Sequence, residues 1–417
     1  MNTPESAPAP RRFFVLAMLL VVYTFNFVDR QILGILAGPI KHDLGLSDTQ
    51  LGALGGFAFA LLYSTMGIPL AWLADRRGRT RVIAVSLAIW SGFTALCGLV
   101  GGFWQMFACR LGVGIGEAGG VAPSYALIAA YFPARQRARA LAIYSLGIPL
   151  GSAAGILFGG YVATAVDWRT AFVGVGLAGL VFTPLFGWLV RDPDRVGPAV
   201  AAPRLGEVAR ILAGKRAFWL LSFGAAASSM MGYGLAFWLP SLMQRSFGLD
   251  LVHTAQFFGL LLLIGGSVGV LAGGWIGDWL GGRDRAAFAR LPALAYVLGV
   301  PLFVAGLWSG SAQAAFWLFL LPQALVYLWL APVLSAVQHL VPAPMRATAS
   351  ASFLLINNLI GVGFGSLSLG KLSDALTPIY GQDALRHAIT WGLGLYLIAA
   401  LLMALAGRHL REEWVEG

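Results

Sequence analysis

The chain has 417 residues, of which 58% are hydrophobic and 11% charged, with a net charge of +10 and a mean hydropathy of +0.77. A water-soluble domain carries about a quarter charged residues, so a soluble enzyme or soluble nucleic-acid-binding protein is excluded and an integral membrane protein is indicated. The two cysteines, Cys97 and Cys109, both lie in apolar segments, and neither a disulfide framework nor a metal site is expected.

The chain opens on a short polar tail, MNTPESAPAPRR, followed by a long apolar run that lacks a small-residue cleavage site, which reads as a retained first helix. A bilayer core needs about 20 apolar residues per helix. On that ruler the spans fall near 13–37, 49–73, 81–100, 104–131, 138–163 and 169–190, then 217–243, 253–277, 289–308, 313–338, 347–370 and 386–407. The expected fold is an all-α membrane protein of twelve helices: a bundle at 1–190, a hydrophilic linker at 191–216 and a second bundle at 217–417. Assigning the N-terminus and every second loop to one side puts 21 of the 28 Lys and Arg there. Both termini are therefore predicted to be cytoplasmic, and membrane orientation accounts for the net charge without any nucleic-acid partner.

Landmarks repeat between the halves. AWLADRRGRTR (71–81) follows the second span and GWIGDWLGGRDR (274–285) follows the eighth, with Asp75 and Asp278 separated by 203 residues. FPARQRA (132–138) and VPAPMRA (341–347) echo one another at an offset of 209. Such pairs indicate a duplicated six-helix unit, a construction common among secondary transporters.

With twelve spans in two sixes and a D-R-x-G-R sequence after the second, the chain resembles the major facilitator superfamily over nearly its whole length. The family's loop motif is G-x-x-x-D-[RK]-x-G-R-[RK]-[RK]; here Ala71 replaces the glycine and Thr80 one basic residue. The resemblance implies that Asp75, Arg76, Gly78, Arg79 and Asp278 help to hold the cytoplasmic side closed. Within the superfamily, NFVDRQ (26–31) together with RLGVGIGEAGGVAPSYALIAAYFP (110–133) looks like the spinster branch. That branch implies lysolipid or sphingolipid-like substrates in animals and proton coupling in bacteria.

Four charges lie inside the spans: Asp29, Arg30, Arg110 and Glu117. At roughly 2.5–3.5 kcal/mol each at a helix centre, they would together cost on the order of 10 kcal/mol if left uncompensated. They must face one another or water. Arg110 and Glu117 are seven residues apart and share a helical face with Gly114 between them, while Asn26 and Arg30 share a face that Asp29 flanks. In the superfamily the first and fourth helices line the central cavity, which brings these faces together. Glu117, or failing it Asp29, is the expected proton carrier; Arg30 and Arg110, with Asn26, are expected to hold an anionic group, and Asp29 to steady Arg30. Phe237, Trp238, Gln323 and Tyr327 offer an aromatic and polar surface for a greasy tail.

The resulting expectation is a proton-coupled secondary transporter in a bacterial inner membrane. It is expected to work as a monomer among membrane lipids, on a small-molecule or lipid substrate, and without a cofactor. An importer of small organic anions is the alternative within the class. A membrane enzyme or receptor is the alternative outside it, and no nucleophile, metal cluster or GxxxxGK[ST] loop supports that.

Overall fold

The computed structural model describes residues 9–192, 205–281 and 283–415, and every element in them is helical. In the first half these are α1 (Ala9–Ile35, resumed by Ala37–Leu44), α2 (Asp48–Arg77), α3 (Arg79–Cys97), α4 (Phe103–Ala118 and Val121–Tyr131), α5 (Ala134–Ser145 and Gly147–Ala165) and α6 (Trp168–Leu189). The second half has α7 (Arg216–Phe247), α8 (Leu251–Gly281), α9 (Ala287–Leu307), α10 (Ala312–Leu325 and Leu330–Gln338), α11 (Arg346–Asn357 and Gly363–Tyr380) and α12 (Ala384–Gly392 and Gly394–Glu413). Among the described residues ten helical runs are long and apolar enough to cross a membrane. One of them, Thr348–Glu413, holds both α11 and α12, and α4 is divided into pieces of 16 and 11 residues, so the spans number twelve. Residues 193–204 of the predicted linker lie outside the described residues; a short helix, Leu205–Ala213, follows them.

Local chemistry sets several of the helix starts. Ser47 opens α2 with a full capping box to Gln50, and Asp167, Asp250 and Ser311 each accept a backbone N–H at the starts of α6, α8 and α10. The duplication shows in matched interruptions of the helical ladder. A π turn at Ala53–Phe57 in α2 has its counterpart at Leu262–Gly266 in α8, 209 residues on. The break at Gly119–Gly120 in α4 is answered by turns at 326–329 in α10. Breaks of this kind inside helices recur at functional sites.

The chain divides into two compact units, Met1–Leu46 with Phe57–Ala199, and Ser47–Gly56 with Val200–Gly417. In the first unit, α5 lies backbone-close on α1: a Cβ at Gly151 would sit 2.4 Å from the Thr24 carbonyl oxygen, and one at Gly155 2.6 Å from that of Val28. Gly114 brings α4 equally close to α2, a Cβ there standing 2.4 Å from the Phe59 carbonyl oxygen. Small residues at such crossings let membrane helices approach where lipid provides no hydrophobic drive.

The second unit includes the first turns of α2, which the sequence places in the other half. Asp48 receives Arg245 through two nitrogens, at 2.7 and 2.8 Å, and the Ser373 hydroxyl at 2.8 Å. Asp374 accepts the backbone N–H groups of Asp48 (3.1 Å) and Thr49 (2.7 Å) and the Thr49 hydroxyl (2.6 Å). Asp374 thus caps the N-terminus of a helix to which it does not belong, where a negative charge is favoured. Deeper, the Ser366 hydroxyl donates to the Gly52 carbonyl at 2.8 Å.

Candidate functional site

The four intramembrane charges come together in the first unit as two ion pairs. Arg30 Nε of α1 donates to Glu117 Oε2 of α4 at 2.7 Å, and Arg110 Nη1 of α4 lies 3.2 Å from Asp29 Oδ2 of α1. The side chains of Asp29 and Arg110 are each 1% exposed and that of Glu117 0%. The helical spacing permits the arrangement: α1 and α4 each carry one acid and one base, and the acid of each helix meets the base of the other. The two pairs sum to zero charge, which is what burial in hydrocarbon requires.

The sequence suggests Arg30 as the partner of Asp29. In the structure the two oxygens of Asp29 are met by Arg110 and by the Thr94 hydroxyl of α3, at 2.7 Å. Thr94 Oγ1 also lies 2.8 Å from the Trp90 carbonyl oxygen. Its single proton can serve only one of these acceptors at a time.

Aromatic rings enclose the arginines. The Arg30 guanidinium carbon stands 4.6 Å from the ring centre of Tyr63, 4.8 Å from that of Phe59 and 5.1 Å from that of Phe27. The Arg110 guanidinium carbon stands 5.6 Å from the ring centre of Phe59. Cation–π contacts of this kind strengthen when water is excluded. Three buried polar atoms of the cluster have no hydrogen-bond partner among the described residues: Glu117 Oε1, Arg110 Nε and Asn26 Oδ1. The carboxylate of Glu117 is therefore engaged through one oxygen and open at the other.

The second-unit residues singled out by sequence are held more tightly. Trp238 is fully buried, and its Nε1 donates to the Ser366 carbonyl at 2.8 Å, tying α7 to α11. Phe237 packs edge-on against Trp238 at 5.0 Å and fills the space over Gly55. Gln323 is buried against Gly265, and Tyr327 packs over Gly269. At the α2–α3 turn Asp75 pairs with Arg79 at 3.5 Å and its side chain is 68% exposed. Arg76 stacks on Trp72 at 3.7 Å. Gly78 turns the chain with φ of +101° and leaves room for Asp192, which accepts the Thr80 N–H at 3.2 Å. The side chain of Asp278 lies outside the described residues; near it Arg283 stacks on Trp279 at 4.3 Å, as Arg76 does on Trp72.

Sequence reasoning misses Thr94 and the rings of Phe27, Phe59 and Tyr63. A threonine or phenylalanine in a membrane helix has no contrast with its surroundings. The one available signal is spacing: Phe59 and Tyr63 lie one helical turn apart on α2.

Comparison with known proteins agrees with this architecture. The family model of the Major Facilitator Superfamily matches residues 19–366. An MFS-type efflux pump of Mycolicibacterium smegmatis is 35% identical over 100% of this chain and 99% of its own. A probable L-galactonate transporter of Escherichia coli is 29% identical over 65% of this chain and 63% of its own. The crystal structure of a bacterial homologue of the human lysosomal transporter Spinster, in an inward-facing and unoccupied conformation, superposes with a TM-score of 0.88 at 29% identity, covering 98% of this chain and 100% of the other.

Proposed function

Since the chain belongs to the major facilitator superfamily and is a spinster-like, multi-pass membrane transporter, we propose that it is a proton-coupled secondary transporter that moves an anionic or amphipathic molecule by alternating access. The observation that carries the reading is the buried Arg30–Glu117 pair, closed at 2.7 Å with one carboxylate oxygen left open. An anion arriving at Arg30 competes with Glu117 for the guanidinium. A carboxylate that loses its counter-charge in a desolvated setting takes up a proton, and Glu117 Oε1 is the atom positioned to receive it. When the anion departs, Arg30 reclaims Glu117 and the proton is expelled. Binding and protonation are thereby linked, so substrate affinity rises as pH falls. Arg110 supports a second anion contact, and Asp29, held by Arg110 and Thr94, is the second proton station. In this reading the basic loops place both termini in the cytoplasm, and the Asp75–Arg79 turn with its counterpart at Asp278 steadies that side.

The substrate class is open between a lysolipid or sphingolipid-like amphiphile, which the spinster likeness supports, and a small organic anion, which the galactonate transporter's likeness supports. Glu117→Gln, which mimics the protonated acid at nearly equal size, is expected to keep substrate binding yet lose its pH dependence and its accumulation on an imposed proton gradient. Arg30→Ala is expected to weaken binding itself. The measurement is affinity from acid to neutral pH together with gradient-driven uptake in proteoliposomes. Retention of both the wild-type pH profile and accumulation by Glu117→Gln removes Glu117 as the proton carrier.

A further inference from the structure

Beside the ion pairs, the first unit builds a second feature that the transport cycle does not use: a run of tyrosines. The Tyr23 ring of α1 stacks on that of Tyr144 of α5 at 4.3 Å, and Tyr125 of α4 meets Tyr144 edge-on at 5.6 Å. Tyr23 in turn packs against Phe27 at 5.2 Å, and Tyr63 stacks on Phe59 at 4.9 Å. Phe27, Phe59 and Tyr63 are the three rings around Arg30, so the tyrosines continue the wall that encloses the guanidinium. The rings come from α1, α2, α4 and α5 and converge on one place.

Their hydroxyls are the notable part. The Tyr144 hydroxyl lies near Ser124, whose own proton goes to the Gly120 carbonyl at 2.7 Å. Among the described residues, the hydroxyls of Tyr23, Tyr63 and Tyr125 have no protein partner, and none of them is sealed from solvent. Tyr125 keeps 44% of its surface accessible although its neighbours Tyr23 and Tyr144 are buried. Phenol groups in protein interiors ordinarily find a hydrogen-bond partner. Three that converge beside a cation without one form a polar surface prepared for something other than the protein.

We infer that Tyr63 and Tyr125, backed by Tyr23, form a subsite that selects anions bearing a hydroxyl group close to the charged group, the anion on Arg30 and the hydroxyl on the tyrosines. This rests on the anion-binding role proposed above for Arg30. The chemistry is common to a phospholipid-type head with a glycerol or sphingoid hydroxyl and to a free hydroxy acid, so the two sources must be tested separately. A site that hydrogen-bonds a substrate hydroxyl discriminates against the analogue that lacks it, because its polar groups then lose that partner.

The test uses the purified full-length protein and matched pairs of probes, with affinity read by calorimetry and by thermal shift. The free pairs are D-gluconate with hexanoate and glycerol 3-phosphate with propyl phosphate; the lipid pair is oleoyl lysophosphatidic acid with its 2-deoxy analogue. In the wild type at least one hydroxylated member is expected to bind about 10-fold or more tightly than its deoxy partner, and the pair that shows this identifies the source. In Tyr63→Phe/Tyr125→Phe, which preserves both rings and their packing, the preference for the hydroxylated over the deoxy member is expected to fall below about 3-fold. Equal binding of hydroxylated and deoxy members by the wild type, no binding of any probe, or full preference retained in the double variant overturns the subsite. Binding that survives intact in Arg30→Ala, with the hydroxyl preference still lost in the tyrosine variant, instead overturns the anion role of Arg30 and leaves the hydroxyl subsite standing.

Discussion

Thr94 is the smallest member of the charge cluster, and its geometry gives it a specific task. Its hydroxyl proton faces two acceptors, Asp29 at 2.7 Å and the Trp90 carbonyl at 2.8 Å. Thr94→Val, nearly isosteric, leaves one oxygen of a fully buried carboxylate without a donor. A buried polar group stripped of its partner costs about 1–3 kcal/mol. The expected outcome is a fall in melting temperature; an unmoved melting temperature counts against a stabilising Thr94–Asp29 bond. The four charges of the site were legible in the sequence because a charged residue inside an apolar run is rare and expensive. How they pair was not: each base has an acid within reach on either helix, and only the packing of α1 against α4 in three dimensions sends Arg30 to Glu117 and Arg110 to Asp29.

At the scale of the helices, hydropathy alone located all twelve spans, since nothing but a membrane helix produces so many apolar runs of that length. It could not locate their interruptions. The π turns in α2 and α8 end in or run through Gly-Gly pairs, but the chain holds 54 glycines, most of them in regular helix. What separates one glycine from another is its neighbour across the crossing, and this yields a paired prediction on α5. A methyl at Gly155 meets the Val28 backbone oxygen at 2.6 Å, whereas one at Gly159 meets only side-chain carbons among its two nearest neighbours, Ile35 Cγ2 and Ile32 Cγ1, at 3.0 and 3.1 Å. Backbone cannot yield without moving α1 and with it Asp29; an isoleucine methyl can. Gly155→Ala is therefore expected to destabilise toward the upper end of the roughly 1–3 kcal/mol typical of overpacking, and Gly159→Ala to have little effect. Thermal unfolding of the two variants in the same detergent checks the contrast, and equal losses at both positions count against a backbone-limited crossing.

For the whole molecule the telling feature is where ten residues belong. Ser47–Gly56 is encoded in the first half and packed in the second unit, where Asp48 takes Arg245 and Ser373, Asp374 caps the helix start and Ser366 bonds Gly52. No composition shift marks this; the segment reads as the ordinary start of a span, and its partners lie more than 190 residues away. If residues 1–199 and 200–417 are produced as separate chains, the second is expected to be poorly stable alone, lacking the partners of Arg245 and Asp374. Co-production with 1–199 is expected to rescue it, and co-production with a first fragment carrying Asp48→Ala to rescue it less well, as read by the monodisperse peak on size-exclusion chromatography. A fragment 200–417 equally stable with and without its complement would count against the dependence. The same fact bears on recombination. Exchanging halves between two relatives at the linker separates this stretch of α2 from the surface it was selected against, so one parent's Asp48 must meet the other's Arg245 position. A crossover preceding Ser47 keeps them together for the second unit, which makes the inheritable module different from the visible sequence repeat.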